Sequence, residues 1–252
     1  MEKGLVSIIT PMYNGERFVG DTINSVLNQT YSNWEIIVID DGSKDNGPEK
    51  VKKFADQDNR ISIFSQANGG SAAARNNGIR RAKGQYIALL DADDTWNSDF
   101  LEKQIKLMND KNALLVYSSH TRIDEHSKEI LTPFIVPEKI NYNDLLKSCY
   151  ISCLTGLYDT SVYGKIYLRE DMKSLRDDYV YWLEIMKKVK IAYGNKEVIA
   201  NYRILNSSAS RKKNKVIIPH FKVLYKVEKL GLIKSLYYLG NWAFISYFKY
   251  RK

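Results

Sequence analysis

Five runs rich in valine and isoleucine recur along the first half of the chain, at 5–11 (LVSIITP), 34–40 (WEIIVID), 61–64 (ISIF), 85–91 (QYIALLD) and 113–119 (ALLVYSS). Segments of helical length and spacing separate them, at 16–29, 47–58, 71–83 and 98–109. Continuous apolar runs of this length suit strands covered on both faces, and their alternation with helices implies right-handed βαβ crossovers. The predicted fold class is therefore α/β, with a mostly parallel central sheet flanked by helices. In open sheets of this kind ligands bind beyond the carboxyl ends of the strands. The residues that follow each run are thus the ones to read for function.

Four polar, turn-forming clusters occupy those places: TPMYNG (10–15), DDGSKD (40–45), QANGGS (66–71) and DADD (91–94). No G-x-G-x-x-G follows the first run and no G-x-x-x-x-G-K-[ST] occurs anywhere, so a dinucleotide dehydrogenase and a P-loop NTPase are poor fits. Asp91, Asp93 and Asp94 crowd three carboxylates into four residues. Such neighbours raise one another's pKa unless a cation joins them. An oxygen-preferring divalent ion, Mn²⁺ or Mg²⁺, meets that need and keeps positions open for phosphate oxygens. A capped or solvated turn is the alternative for an isolated D-x-D.

The other clusters have plain readings beside functional ones. Asp40 and Asp41, before Gly42 and Ser43, form a turn with an Asx cap when taken alone. Tyr13 is either core or a ring that stacks on a planar base. Asn68, Gly69 and Gly70 precede an alanine-rich helix, which allows close backbone approach to a ligand and places Arg75 on the site side. Asp177 and Asp178 open a helical stretch, LRDDYVYWLEIMKKV (175–189), where an N-terminal cap is the plain alternative.

At 252 residues and 44% apolar content, the chain can build one large domain or a domain with an appendage. Its net charge of +9 is uneven: residues 211–252 hold eleven Lys or Arg against one acid, Glu228, which leaves the first 210 residues close to neutral. The start of the chain lacks a signal-peptide pattern, and the longest uncharged apolar stretch, 235–248, is 14 residues against the ~20 of a spanning helix. Cys149 and Cys153 match neither the redox nor the common zinc spacing and read as reduced thiols. A cytoplasmic location is expected. For the basic, aromatic tail, three readings compete: an amphipathic helix on an anionic membrane, packing on the catalytic domain or a second subunit, and nucleic-acid binding. No recognised motif accompanies the charge, which disfavours nucleic acid.

Taken together, SIITPMYNGERFVGDTINSVLNQTY, WEIIVIDDGSKD, NGGSAAARNNGI, GQYIALLDADD and RDDYVYWLEI resemble, in order and spacing, the family 2 glycosyltransferases with the GT-A fold. The resemblance spans at least residues 5–205. The stretch ISCLTGLYDTSVYGKIYL and the tail are similar to those of enzymes of bacterial surface polysaccharide assembly. It implies a Rossmann-like GT-A catalytic domain over 1–210, with a nucleotide-sugar-binding half (1–95) and an acceptor-binding half (96–210), then a helical tail (211–252). Tyr13 would stack on the base, Asp41 would accept a hydrogen bond from it, and Pro11 would give a backbone contact. Asp91 would lie near the ribose and metal, Asp93 would hold the metal on the diphosphate, and Asp178 would be the catalytic base.

Two departures from the family pattern stand out. Asp177 replaces the usual glutamate, and Leu205 stands where many relatives carry a histidine, which leaves Arg203, Ser208 or Arg211 to assist with the metal or diphosphate. The implied activity is inverting transfer from a nucleotide sugar, UDP-linked, to a glycan or polyprenyl-diphosphate-linked acceptor in capsule, O-antigen or teichuronic-type synthesis. It would proceed at the inner face of the cell membrane, with an oligomer through the tail as a further expectation. A sugar-nucleotide pyrophosphorylase lacks support because its Gly-rich N-terminal signature is missing. A catalytically silent binding subunit is the non-enzymatic alternative.

Overall fold

The computed structural model describes residues 1–172, 176–205 and 216–249. The chain begins with a regular alternation: β1 (Glu2–Met12), α1 (Val19–Leu27), β2 (Trp34–Asp40), α2 (Gly47–Ala55), β3 (Ile61–Ser65), α3 (Ser71–Arg81) and β4 (Gly84–Leu89). A short β5 (Thr95–Trp96) and α4 (Phe100–Lys111) follow, then β6 (Leu115–Ile123), β7 (Glu129–Phe134), β8 (Lys139–Asn141), α5 (Tyr142–Lys147) and β9 (Leu157–Asp159). The chain continues with α6 (Asp177–Val189), β10 (Ile191–Arg203), α7 (Ile217–Lys222) and α8 (Leu232–Lys249).

One ten-stranded sheet carries the order β3-β2-β1-β4-β9-β6-β10-β5, with β7 on β6 and β8 on β10. The four leading strands are mutually parallel, as their apolar runs predict. β9 is antiparallel to both β4 and β6 and sits between them. Residues from both ends of the chain therefore share a single sheet.

Alternate residues of each strand feed two cores. Ile37 and Ile39 of β2 pack on one face with Ile79 of α3 and Trp182 of α6. Ile36 and Val38 pack on the other with Ile23 of α1 and Ile105 of α4. Close packing explains the glycine inside α3, because a Cβ on Gly78 would collide with the Ile9 side chain of β1. That contact brings the start of α3 down onto the carboxyl edge of the sheet.

The stretch 120–170, irregular to sequence reading, contains β7, β8, α5 and β9. β6 also runs four residues beyond the predicted end at 119. Those residues, His120, Thr121, Arg122 and Ile123, are buried although three are polar, so hydropathy failed to mark them. The tail packs partly on the body: Val223 and Leu224 are buried in the same core as α6. Among the described residues no helix is long and apolar enough to cross a membrane.

Candidate active site

The carboxyl ends of β1, β2 and β4 and the start of α3 converge, as the topology requires. At the β1 end Tyr13 is 51% exposed, so its ring is presented at the surface of the edge and is not core. Pro11, one residue inside β1, is partly buried and lies in register with Ile39 of β2. Asn14 follows with φ = 51°, and its amide donates to Ser43 Oγ at 2.9 Å while its side chain accepts from the Lys44 amide at 2.8 Å. The first two strand-end loops are thereby joined.

Asp40 and Asp41 divide their work. The Asp40 carboxylate accepts from the Ser43 amide at 2.9 Å, the Asx turn that the plain reading anticipates. Asp41 holds the neighbouring loop. Its Oδ1 accepts from Gln66 Nε2 and the Gly69 amide, and Oδ2 accepts from the Gly70 amide, all at 2.8 Å. Asn68 Nδ2 adds a bond to the Asp41 carbonyl at 2.9 Å. The glycine amides expected to face a ligand therefore turn inward onto Asp41. Each carboxylate oxygen has two acceptor positions, and Oδ2 has room for a further donor.

Arg75 is buried on α3 and bridges two carboxylates. Its guanidinium donates to Asp91 Oδ1 at 2.6 Å and to Asp177 Oδ2 at 3.2 Å. Ser71 Oγ adds a bond to Asp177 at 3.1 Å. The crowded acids are thus already partly neutralised from within the chain, which corrects the expectation that the cluster as a whole lacks a cation. Asp177, in the place of a longer acid, serves here as the anchor that ties α6 to α3.

Arg203 likewise departs from its predicted role. Its side chain is only 1% exposed. It donates to the Asp93 carbonyl at 2.8 Å, the Asp124 carbonyl at 3.0 Å and Ser127 Oγ at 3.1 Å, and its plane covers the Phe18 ring at 4.6 Å. This guanidinium braces the loop after β4 and is not free to take a phosphate. Arg211 and Ser208 lie outside the described residues.

The acids left over are Asp93, Asp94 and Asp178. Burial, then Asp91, pushes Asp93 up to about 6. No side chain among the described residues donates to its carboxylate. Asp94 is fully buried, accepts from the Arg203 amide at 2.8 Å through Oδ1, and has no partner at Oδ2. Burial and the adjacent acids raise its pKa well above the usual carboxylate range. Asp178, in the first turn of α6, accepts from the adjacent Tyr179 amide at 2.8 Å, and burial followed by Asp177 raises its pKa. A raised pKa makes it a stronger base.

The Asp93 carboxylate, bonded only by its own backbone amide, and the orphaned Oδ2 of Asp94 fit a hard divalent cation, whose preferred ligands are oxygens. Among the described residues no group of three His, Cys, Asp or Glu side chains forms a ready cage. Phosphate and water oxygens would complete the shell, as they commonly do for Mg²⁺.

Comparison with known proteins gives this geometry its context. The family model for glycosyl transferase family 2 matches residues 7–175. The chain belongs to glycosyl transferase family 2. A family 2 relative, TuaG of Bacillus subtilis (strain 168), assigned to teichuronic acid biosynthesis, is 35% identical over 98% of this chain and 96% of its own. The Escherichia coli protein WfgD, named as a UDP-Glc:alpha-D-GlcNAc-diphosphoundecaprenol beta-1,3-glucosyltransferase, is 39% identical over 97% of this chain and 94% of its own. The solved structure of Staphylococcus aureus TarS 1–349 with UDP-GlcNAc superposes with a TM-score of 0.72 at 16% identity, covering 88% of this chain and 66% of that longer one. At that identity the likeness establishes the GT-A fold shared by these family 2 enzymes. Residues to which sequence reading gave no role of their own are Gln66 and Ser71; a polar residue directly flanking a glycine turn was the available signal.

Proposed function

We propose that this family 2 glycosyltransferase transfers a sugar, with inversion, from a UDP-linked donor to a hydroxyl of a glycan or lipid-diphosphate acceptor in bacterial surface polysaccharide synthesis. The observation that carries the reading is the Arg75 bridge. It joins Asp91, in the same loop as Asp93, to Asp177, the neighbour of Asp178. A donor diphosphate and an acceptor base are thereby held across one arginine.

The chain's own residues divide the task. Tyr13 offers its exposed ring to the base, and Asp41 Oδ2 offers its remaining acceptor position to the base edge. Asp93, with Asp94 behind it, would hold Mn²⁺ or Mg²⁺. Such an ion, when bound, supplies positive charge to the departing diphosphate. Asp178 accepts the acceptor hydroxyl's proton as that oxygen forms its bond to the anomeric carbon and the bond to the diphosphate breaks. One carboxylate suffices because the leaving group needs no proton, in contrast to the paired acids of glycosidases.

The names of WfgD and TarS, with their UDP-sugars, support the donor, and that of WfgD supports a lipid-linked acceptor. The tail supports work beside a membrane: α8 exposes Leu232, Ile233, Leu236 and Tyr237 within a segment of eleven basic residues. An assay of sugar transfer from UDP-glucose with Mn²⁺ tests the proposal, Asp178→Asn serving as control. Transfer should fall by about 10²- to 10⁴-fold in the variant while UDP binding survives. A variant with wild-type turnover would remove the base assignment.

A further inference from the structure

The start of α6 is held from two sides. Arg75 and Ser71 of α3 hold Asp177 on the inner side. On the other side stands Arg176, whose φ of 65° lies in the left-handed region. A residue with a Cβ adopts it at a cost of roughly 1–2 kcal/mol, and keeps it only where its surroundings enforce it. Those surroundings are supplied by the C-terminal segment.

Arg176 Nη2 donates to His220 Nδ1 at 2.8 Å. Its guanidinium also lies 5.1 Å from the Tyr179 ring centroid and 5.5 Å from that of Trp242. His220 is wholly buried, stacked on Trp242 at 4.6 Å and tilted against Tyr179 at 5.1 Å. A guanidinium only donates, so Nδ1 is the acceptor and the ring proton sits on Nε2. Burial, then Arg176, holds the imidazole pKa down at about 2, which keeps the ring neutral at any working pH. His220 Nε2 and Arg176 Nε have no partner among the described residues. A buried polar atom without a partner is costly, and apolar side chains would fill the same space without that cost.

The segment that brings His220 and Trp242 is itself fastened. Glu228, the single acid of residues 211–252, bonds Lys187 of α6 at 2.9 Å and the Tyr142 hydroxyl of α5. Val223 and Leu224 are buried beside them.

We infer that His220 and Trp242 are positioning residues for sugar transfer: they clamp Arg176 and through it set the direction in which Asp178, two residues on, meets the acceptor hydroxyl. The inference rests on Asp178 as the base. It makes the C-terminal segment a working part of the active site as well as a surface.

The test compares His220→Phe, which keeps a ring and loses the acceptor, with His220→Asn, whose carbonyl oxygen replaces Nδ1. Full-length protein with Mn²⁺ is assayed on whichever of UDP-glucose and UDP-N-acetylglucosamine the wild type turns over. In H220F kcat should fall about ten- to a hundredfold, with donor KM and calorimetric UDP affinity within twofold, and H220N should recover most of the loss. A wild-type kcat in H220F, or an H220N as impaired as H220F, overturns the inference. Should H220F not fold, Arg176→Lys removes the same planar donor and must show the same kcat loss. Amide exchange at Asp178 and Tyr179 needs no substrate: it should quicken in H220F and return in H220N, and unchanged exchange in H220F also overturns the clamp. Asp178→Asn, run in parallel, separates the two claims. Turnover retained there removes the base assignment, whereas an inactive D178N beside a normal H220F removes the clamp alone.

Discussion

Arg75 reaches the Asp177 carboxylate at 3.2 Å while its other terminal nitrogen holds Asp91 at 2.6 Å, so one guanidinium couples the loop after β4 to the first turn of α6. A lysine cannot span both acids with a planar fork. Arg75→Lys should keep the fold with reduced stability and lose most transfer. Arg75→Met leaves the buried Asp177 and the partly exposed Asp91 without their cation, at up to about 3–5 kcal/mol of stability. Chemical denaturation checks both, and equal stabilities for wild type and R75M would contradict the bridge.

Asp93 carries a pH prediction with a definite sign. Its folded pKa of about 6 lies above the ordinary 3.8, so the folded state binds more protons than the unfolded one between those values. Stability of the metal-free protein should therefore fall as pH rises from about 4 to about 6 through this group. Asp93→Asn removes the effect and should stabilise the metal-free protein at pH 7.5 by up to about 3 kcal/mol. The same variant should lose the rise in melting temperature that Mn²⁺ with UDP gives the wild type. Below pH 6 protons compete with the metal, so apparent Mn²⁺ affinity should weaken there.

Asp41 is predicted to act on the donor through the loop it holds. Asp41→Ala strands Gln66 and the amides of Gly69 and Gly70. A loss of about 1–3 kcal/mol follows for a buried group left unpaired. Donor KM should rise more than kcat falls, because Asp178, the proposed base, is untouched. Steady-state kinetics with varied UDP-sugar separates the two.

The tail's two faces should respond separately. Leu224 is buried in the core, and Leu224→Ala should cost about 2–5 kcal/mol without changing vesicle binding per folded molecule. Ile233 and Leu236 are exposed on α8. A double change of these two to serine should leave melting unchanged and weaken co-sedimentation with phosphatidylglycerol vesicles. Unaltered co-sedimentation would remove lipid contact through this face.

Sequence periodicity was sufficient for the first four strands and their helices, because β1, β2 and β4 are covered on both faces by apolar runs and the edge strand β3 still keeps three apolar residues in four. It failed where burial is polar, as along His120–Arg122 of β6, and where elements are only three to six residues long, as in β8, α5 and β9. The strand-end acids were legible as a group. Their individual duties were not: Asp41 holds the neighbouring loop, Asp177 ties α6 to α3, Arg203 braces backbone, and Asp93 has no side-chain donor among the described residues. Those assignments depend on contacts between positions 25 to 110 residues apart, which spacing along the chain does not encode. Arg176 gave no local signal, since its partners His220 and Trp242 come from the tail.

The placement of β9 has an outcome for protein engineering. Leu157–Asp159 threads between β4 and β6, so the middle of the sheet is stitched from widely separated parts of the chain. A chimaera spliced after residue 95 would import a foreign central strand against a native β4. Exchanging acceptor preference between homologues thus calls for grafts in the surface loops, with the strand that knits the sheet left in place.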